Sequence, residues 1–248
     1  MMLAKAARLA YGAALSPALG LLAPRLPSVH RRLAAPLIAG PYRGKLLDAI
    51  QREVYRLERG EVSDEDFIRS VTDSMRTSVE HGELDEWLNR KVEPTQKIDV
   101  VLSDCINYSP LKRWYLKLHF MPEGDVHGLH GHRDVISTQL IVRGKLHVQE
   151  LDLIGSLKES PTQLKLRRDG VVGPLEGFVT TNRECNIHGF YPTDGPAVRF
   201  QFYLRGQTSM KDRVFPKRGR LYVHPRWETL SDDILLADLG STGKPGES

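Results

Sequence analysis

The sequence predicts a mainly β domain, a barrel or a sandwich, with a helical region on its N-terminal side. Apolar residues recur at helical intervals between residues 44 and 92. Beyond Val101 they alternate with polar residues, which is the period of a strand. The alternating segments are short and are separated by Gly and Pro, as is typical of all-β barrels and sandwiches.

The helical region is predicted to contain two helices and a short third piece. In GKLLDAIQREVYRLERG the apolar residues form one helical face, and Gly60 ends the helix. Ser63, followed by acidic residues, is typical of an N-cap with acids in the first turn. A piece with Trp87 and Leu88 closes the region. The second helix is expected to bury one side, formed by Phe67, Ile68, Val71 and Met75.

Four stretches predict the strands. RWYLKLHF alternates, so Trp114, Leu116 and Leu118 should face away from Tyr115, Lys117 and His119. STQLIVRGKLHVQEL is predicted to be a hairpin that turns at Arg143-Gly144-Lys145. GFVTTN and AVRFQFYLRG supply further strands.

These elements divide the chain into four parts. We expect an Ala/Leu-rich basic extension over residues 1–43, a helical region over 44–100, a β-barrel over 101–239 and a disordered tail over 240–248. The helical region is expected to pack on the barrel.

The N-terminal extension has two candidate roles. It carries no Asp or Glu, and residues 9–24 carry no charge at all, which is the outline of a signal peptide. However, Pro17 interrupts this run, which is also shorter than the ~20 residues of a membrane helix. We therefore favour a helical lead-in that packs on the body or makes weak contact with a membrane surface. The expected compartment is the cytoplasm, and membrane association or export through this segment stays open.

Charge and cysteine content exclude some classes of function. The net charge is +4, most of the excess is N-terminal, and no basic stripe with interleaved aromatics follows, which argues against nucleic-acid binding. Cys105 and Cys185 are too few for a disulfide scaffold, which indicates a reducing compartment, and we interpret both as small core residues. No CxxC, Walker or GxGxxG motif is present.

Histidines are concentrated in the stretch GDVHGLHGHRDV. On an extended segment His130 and His132 point the same way, so both imidazoles can reach one metal ion. A third ligand must come from elsewhere, and His188 in ECNIHGF is the best candidate. Solvent-facing histidines in a Gly-rich loop are the alternative. His127 is a candidate substrate contact or is merely exposed, and His119 and His147 are interpreted as packed or surface residues of strands.

The histidine pair, followed by a strand and by Gly144, resembles the first motif of the cupin superfamily. Ser137 stands where most metal cupins carry Glu. In lacking this Glu, the chain resembles thiol dioxygenases of the cysteine dioxygenase type. NIHGFYPTDGPAVRFQFY resembles the second motif of that family. The resemblance covers about residues 45–206 and implies a jelly-roll barrel. It also implies that His188 is the third metal ligand and that Tyr203 is the active-site tyrosine.

Under this resemblance the expected function is an Fe(II)-dependent oxidation of a small thiol to a sulfinate with O2. Tyr203 would donate a hydrogen bond to bound oxygen or to substrate. Gln201 and Arg199 stand where the family usually has a histidine and a serine that support this tyrosine, and no clear counterpart exists for the arginine that binds the cysteine carboxylate. Arg199 shares a strand face with Gln201 and Tyr203, so it is a candidate for binding an anionic substrate, or else a solvated charge.

Two other classes of function remain open. One is a cupin metalloenzyme that acts on a non-thiol substrate in a biosynthetic pathway, and the other is a non-catalytic cupin that binds a small ligand or a partner. Imidazole suits Zn, Cu and Ni as well as Fe(II), so the choice of iron comes from the resemblance. The substrate and the oligomeric state are left open.

Overall fold

The structure is a computed structural model. It describes residues 37–38, 44–89, 97–105, 113–132, 135–155, 159, 161–181, 185–205, 220–231 and 233–240. The predicted N-terminal extension, apart from residues 37–38, lies outside these residues, as does the tail beyond Gly240.

The helical region forms three helices, α1 Lys45–Glu58, α2 Asp64–Glu80 and α3 Asp85–Leu88. Chain reversal after α1 uses Gly60, which has a left-handed φ of +67°. Ser63 caps α2 as predicted, because its Oγ accepts a hydrogen bond from the Asp66 N–H at 3.1 Å. None of the helices in the described ranges has the length and apolar composition needed to cross a membrane.

Removing the Ser63 hydroxyl is expected to destabilise the protein by about 1 kcal/mol, because the Asp66 N–H loses its acceptor. Ser74 lies in the same helix and donates to the Ser70 carbonyl at 2.8 Å. Ser74→Ala is therefore the matched control, with an expected change of only a few tenths of a kcal/mol. Urea unfolding followed by circular dichroism measures both variants, and equal losses would contradict the capping role.

The described residues form ten strands. They are β1 Leu37–Ile38, β2 Ile98–Cys105, β3 Arg113–Met121, β4 His127–His132, β5 Val135–Leu153, β6 Thr162–Val172, β7 Gly177–Thr180, β8 Ile187–Arg205, β9 Arg220–Ser231 and β10 Ile234–Gly240. The longest, β5 and β8, have 19 residues each and pair antiparallel along most of their length.

The strand pairing closes a barrel. The second half of β8 lies between β3 and β5, and its first half lies between β4 and β5. β5 continues to β6, β6 to β10, β10 to β9, and β9 returns to β4. The six strands β4, β8, β5, β6, β10 and β9 therefore form a closed ring of pairings, which confirms the predicted mainly β barrel with an N-terminal helical region.

The predicted hairpin at Arg143-Gly144-Lys145 is wrong. β5 runs through this point as one strand and pairs with β8 on both sides of it, with register shifts on either side of Arg143. Gly144 has a φ of +71°, and a Cβ there would lie 2.5 Å from the Pro196 carbonyl oxygen. The glycine therefore permits a bend and a close crossing of two strands. A bend and a chain reversal both interrupt the alternation of apolar and polar residues, so the sequence pattern does not distinguish between them.

The helices cover the outer face of the sheet that contains β2, β3 and the second half of β8. Phe67 of α2 is fully buried, and its ring meets the ring of Phe202 edge to face, with centroids 5.7 Å apart. The hydroxyls of Thr72 and Thr138 form a hydrogen bond of 2.7 Å between α2 and β5. One apolar cluster therefore joins the helices to the sheet.

The opposite face of this sheet lines the interior of the barrel. Trp114, Leu116 and Leu118 belong to the cluster under the helices, as the alternation of β3 predicts. The residues that alternate with them point into the barrel, where they form a polar wall rather than a solvated surface. The wall carries Tyr115, Lys117 and His119 of β3, Ser137 and Gln139 of β5, and Arg199, Gln201 and Tyr203 of β8.

Candidate metal centre

Three histidines from two neighbouring strands come together in the structure. His130 and His132 lie on β4, and His188 of β8 is the cross-strand partner of His130. The centroid of the His130 ring lies 4.7 Å from the centroids of the His132 and His188 rings. One nitrogen from each of the three rings lies within 4.8 Å of the other two. Three imidazoles at these distances can bind one ion.

Hydrogen bonds orient two of these rings. The Nδ1 atom of His130 donates to the Gly128 carbonyl at 2.7 Å, which leaves the Nε2 atom of a neutral ring as a lone-pair donor. That Nε2 lies 3.1 Å from the Nε2 of His132. The Nδ1 of His188 lies 2.6 Å from Thr180 Oγ1, which can accept a hydrogen bond from the Nδ1–H. Metal-binding histidines are typically held in this way through the second ring nitrogen, so the donor set fits a divalent transition metal.

In the described part of the chain, this group of three contains no carboxylate. Ser137 is buried in the interior wall and is the cross-strand partner of Tyr203. Glu150 is the cross-strand partner of His188, but its carboxylate accepts from the Val179 N–H and pairs with Arg168. Burial raises the pKa of Glu150.

Tyr203 lies beside the histidines. Its ring is perpendicular to that of His132, with centroids 5.8 Å apart, and it stacks on Tyr115 at 4.9 Å. The Tyr203 hydroxyl accepts a hydrogen bond from Arg205 Nε at 3.0 Å. A second tyrosine, Tyr222 of β9, lies 5.9 Å from the His130 ring and was not predicted, since only the pairing of β9 with β4 brings it there.

A β-bulge places His127 on the same face as His130. Three steps along β4, from His127 to His130, oppose only two along β8, from Phe190 to His188. The His127 ring stacks on Phe190 at 4.6 Å and lies 5.5 Å from the His119 ring, so it belongs to a second polar group. Thus His127 is packed inside the barrel wall, and the exposed alternative is wrong.

The second polar group contains His119, Asp125 and His127, whose potential ligand atoms lie within 4.8 Å of one another. Lys97 Nζ lies 2.9 Å from both Asp125 Oδ1 and His127 Nε2. Arg199 Nη2 donates to His119 Nδ1 at 2.7 Å. Because these two cations already occupy ligand atoms of the group, we interpret it as a hydrogen-bonded network rather than a metal site.

Burial and nearby charges set the protonation of this network. Burial lowers the pKa of His127 to about 4, and burial together with the Arg199 charge lowers the pKa of His119. Burial alone would raise the pKa of Asp125, but hydrogen bonds with His127 and Lys97 lower it to about 2. At neutral pH both imidazoles are therefore neutral and the carboxylate is ionised.

The buried His127 predicts a pH-dependent stability. Its pKa is about 4 in the folded chain and ~6.5 when unfolded, so between these values the unfolded chain binds more protons. Stability is therefore expected to fall as the pH drops from about 6.5 to 4. His127→Gln should reduce the proton uptake on unfolding by about one, measured as the slope of the unfolding free energy against pH. An unaltered slope in His127→Gln would refute the assignment.

The structure places Arg199 and Gln201 inside the barrel. Arg199 is only 3% exposed, so the solvated-charge alternative is wrong. Its guanidinium lies over Phe190, 4.4 Å from the ring centroid, and donates to Gln139 Oε1 as well as to His119. Cys185 is half-buried rather than a core residue, and the side chain of Cys105 lies outside the described residues.

His119, Gln139, Lys97 and Asp125 were not predicted as site residues. His119 carried a usable signal, because it shares a strand face with two other polar residues of RWYLKLHF. Gln139 shares its strand face with Ser137, but its contact with Arg199 depends on the pairing of β5 with β8, which the sequence does not show.

Comparison with known proteins finds no match to a family model and none among curated proteins. Similar solved structures include a cupin superfamily protein from Desulfitobacterium hafniense, at 12% identity and a TM-score of 0.33 over 46% of this chain and 83% of that chain. KdgF from Halomonas sp. is 16% identical, with a TM-score of 0.30, over 47% of this chain and 84% of that chain. An oxalate oxidase is 18% identical, with a TM-score of 0.32, over 48% of this chain and 57% of that chain. Cupin superfamily proteins are thus among the structural neighbours, and none of these matches points specifically to thiol dioxygenases.

Proposed function

We propose that the protein is a mononuclear non-heme iron oxygenase that converts a small thiol to a sulfinate with O2. His130, His132 and His188 would hold Fe(II). The observation that carries the proposal is the convergence of three imidazoles with no carboxylate in their group among the described residues. The partners would be the thiol and O2, and the expected compartment is the cytoplasm.

The donor set suits an anionic substrate. Three neutral imidazoles leave the charge of a divalent ion uncompensated, which favours the thiolate over the thiol. When bound, Fe(II) would supply a centre at which a thiolate and O2 react.

The overall reaction needs no further reductant. R–S⁻ and O2 give R–SO2⁻, with two S–O bonds formed and the O–O bond broken. Sulfur loses four electrons and the two oxygen atoms gain four, so both atoms of O2 end on sulfur.

Residues of the barrel wall would bind and orient the substrate. Arg205 can only donate, so the Tyr203 oxygen is the acceptor in their contact. We propose that the phenol O–H donates a hydrogen bond to the substrate or to O2-derived oxygen. Arg199, Gln201 and His127 are the proposed substrate contacts farther along the wall. Phe178 and Phe190 pack against His188 and would exclude water from the reacting atoms.

Oxygen uptake by untagged protein loaded with Fe(II) tests the proposal. A panel of small thiols should include one that drives O2 consumption with one sulfinate formed per O2, and with both oxygen atoms supplied by labelled O2. Protein loaded with redox-inactive Zn(II) is the control and should consume none. Stoichiometric iron without thiol-dependent uptake would favour a metalloenzyme with a non-thiol substrate. Failure to bind any metal would favour a ligand-binding protein.

A further inference from the structure

Five strands begin or end together at one end of the barrel. Arg113, the first residue of β3, is the cross-strand partner of Arg205, the last residue of β8, and Arg205 also pairs with Val135, the first residue of β5. His132, the last residue of β4, pairs with Arg220, the first residue of β9. Strand pairing therefore places three arginines at this end, and we call Arg113, Arg205 and Arg220 the basic end.

The chain segments that join these strand ends add to the positive charge. They are residues 106–112, 133–134 and 206–219, and together with the three arginines they contain nine basic and two acidic residues. This excess of seven positive charges is larger than the net charge of +4 of the whole chain. The residues outside this set are therefore net negative, although they include the basic N-terminal extension. Such a concentration of one sign of charge attracts anions.

The arginines of the basic end lie where only an anion would relieve their repulsion. Like charges directly opposite each other on paired strands are destabilising, and Arg113 and Arg205 are such a pair. Among the described residues, the groups that act on Arg205 are the tyrosines Tyr203 and Tyr115 rather than a carboxylate. Arginine binds phosphate through two parallel hydrogen bonds, and a phosphate carries up to about two negative charges. A phosphate group therefore matches the basic end better than a singly charged anion does.

The basic end leads directly to the metal centre. Arg205 is exposed, yet its Nε donates to the hydroxyl of Tyr203, a residue that is only 3% exposed. The Tyr203 ring in turn meets the ring of His132, with centroids 5.8 Å apart. Since Arg205 and Tyr203 are separated by ~7 Å along one strand, an anion beside Arg205 lies on the order of 10 Å from an ion held by the three histidines.

We propose that the basic end binds the phosphate group of a substrate whose thiol reaches the metal centre, so that the substrate class is a phosphorylated thiol. The thiol and the phosphate of such a molecule are at opposite ends of a chain that spans about 10 Å. This inference rests on the proposed function for the reaction of the thiol, but phosphate binding itself does not depend on it.

Calorimetric titration of the metal-free full chain tests the site. The probes are 4′-phosphopantetheine and pantetheine, which carry the same thiol and differ only in the phosphate. At about 50 mM salt the phosphorylated probe should bind about tenfold or more tightly than pantetheine, and at about 500 mM salt most of this preference should be lost. Equal binding of the two probes at low salt would overturn the site.

Two substitutions on different strands locate the phosphate. Arg205→Gln and Arg220→Gln should each reduce the preference for the phosphorylated probe by about three- to tenfold and leave pantetheine binding unchanged. Lys145→Gln is the matched control, because Lys145 is also an exposed cation and its strand pairs there with Thr193, twelve residues from Arg205 along β8. An unaltered preference in both arginine variants, or an equal loss in Lys145→Gln, would contradict the assignment.

Oxygen uptake with the Fe(II)-loaded protein separates this inference from the proposed function. A preference for the phosphorylated probe without thiol-dependent O2 uptake would support the site while contradicting the oxygenase proposal. Thiol oxidation with no preference for a phosphate would do the reverse. Binding of a single-stranded RNA oligonucleotide, with no preference between the two probes, would overturn the phosphorylated thiol and identify a nucleic acid as the anion.

Discussion

His188→Ala is expected to abolish stoichiometric metal binding. It removes one of three converging candidate ligands, and the remaining pair, His130 and His132, comes from one strand and supplies only two ligand atoms. Loss of a residue that only supports a metal ligand already costs about 10- to 100-fold in affinity, so loss of a ligand should cost more than about 100-fold. Elemental analysis of untagged protein measures the result.

Thermal unfolding gives a second readout of the same change. Fe(II) at 100 times its dissociation constant should stabilise the native chain by ~2.7 kcal/mol, and this gain should vanish in His188→Ala. His147→Ala is the control, because His147 stacks on Tyr191 away from the three histidines and should keep its metal. Full metal content in His188→Ala would refute the three-histidine centre.

Phe67→Ala is expected to have the largest effect on stability, a loss of about 3–5 kcal/mol in the free energy of unfolding. The Phe67 ring is fully buried between α2 and the sheet, and the substitution leaves a cavity against Phe202 that the paired strands cannot collapse to fill. Urea unfolding monitored by fluorescence or circular dichroism measures the loss.

Tyr55→Ala provides the comparison for this prediction. Tyr55 is also an aromatic residue of a helix, on α1, but it is 42% exposed. Its removal should cost well under half as much as the removal of Phe67. Similar losses in the two variants would show that the helices do not cover the sheet as described.

The sequence was sufficient for the features that depend on local order. Helical spacing and the Ser63 cap located the helices, and the separation of two residues between His130 and His132 placed both rings on one side. His188 was added from the resemblance to a family motif, and the structure brings it to the same point.

The remaining features depend on which strands pair. His127 shares a face with His130 only because the register shifts between them, and a period of two predicts the opposite. His119 and Gln139 both contact Arg199 because their strands, β3 and β5, pair with β8 on either side of it. Strand pairing also decides whether the chain bends or reverses at Gly144. Residues on both sides of it pair with β8, so β5 bends there and continues.

The continuous strand β8 carries His188, Arg199 and Tyr203, so a single segment supplies a proposed metal ligand, a proposed substrate contact and the proposed active-site tyrosine. Adding or deleting one residue in the paired part of β8 between Val198 and Tyr203 would invert the end of the strand and turn the tyrosine toward the helices. Over evolution, length changes in this segment should be tolerated best at residues 194–196, which have no partner on β3 or β5, because an altered count there can leave both flanks in phase.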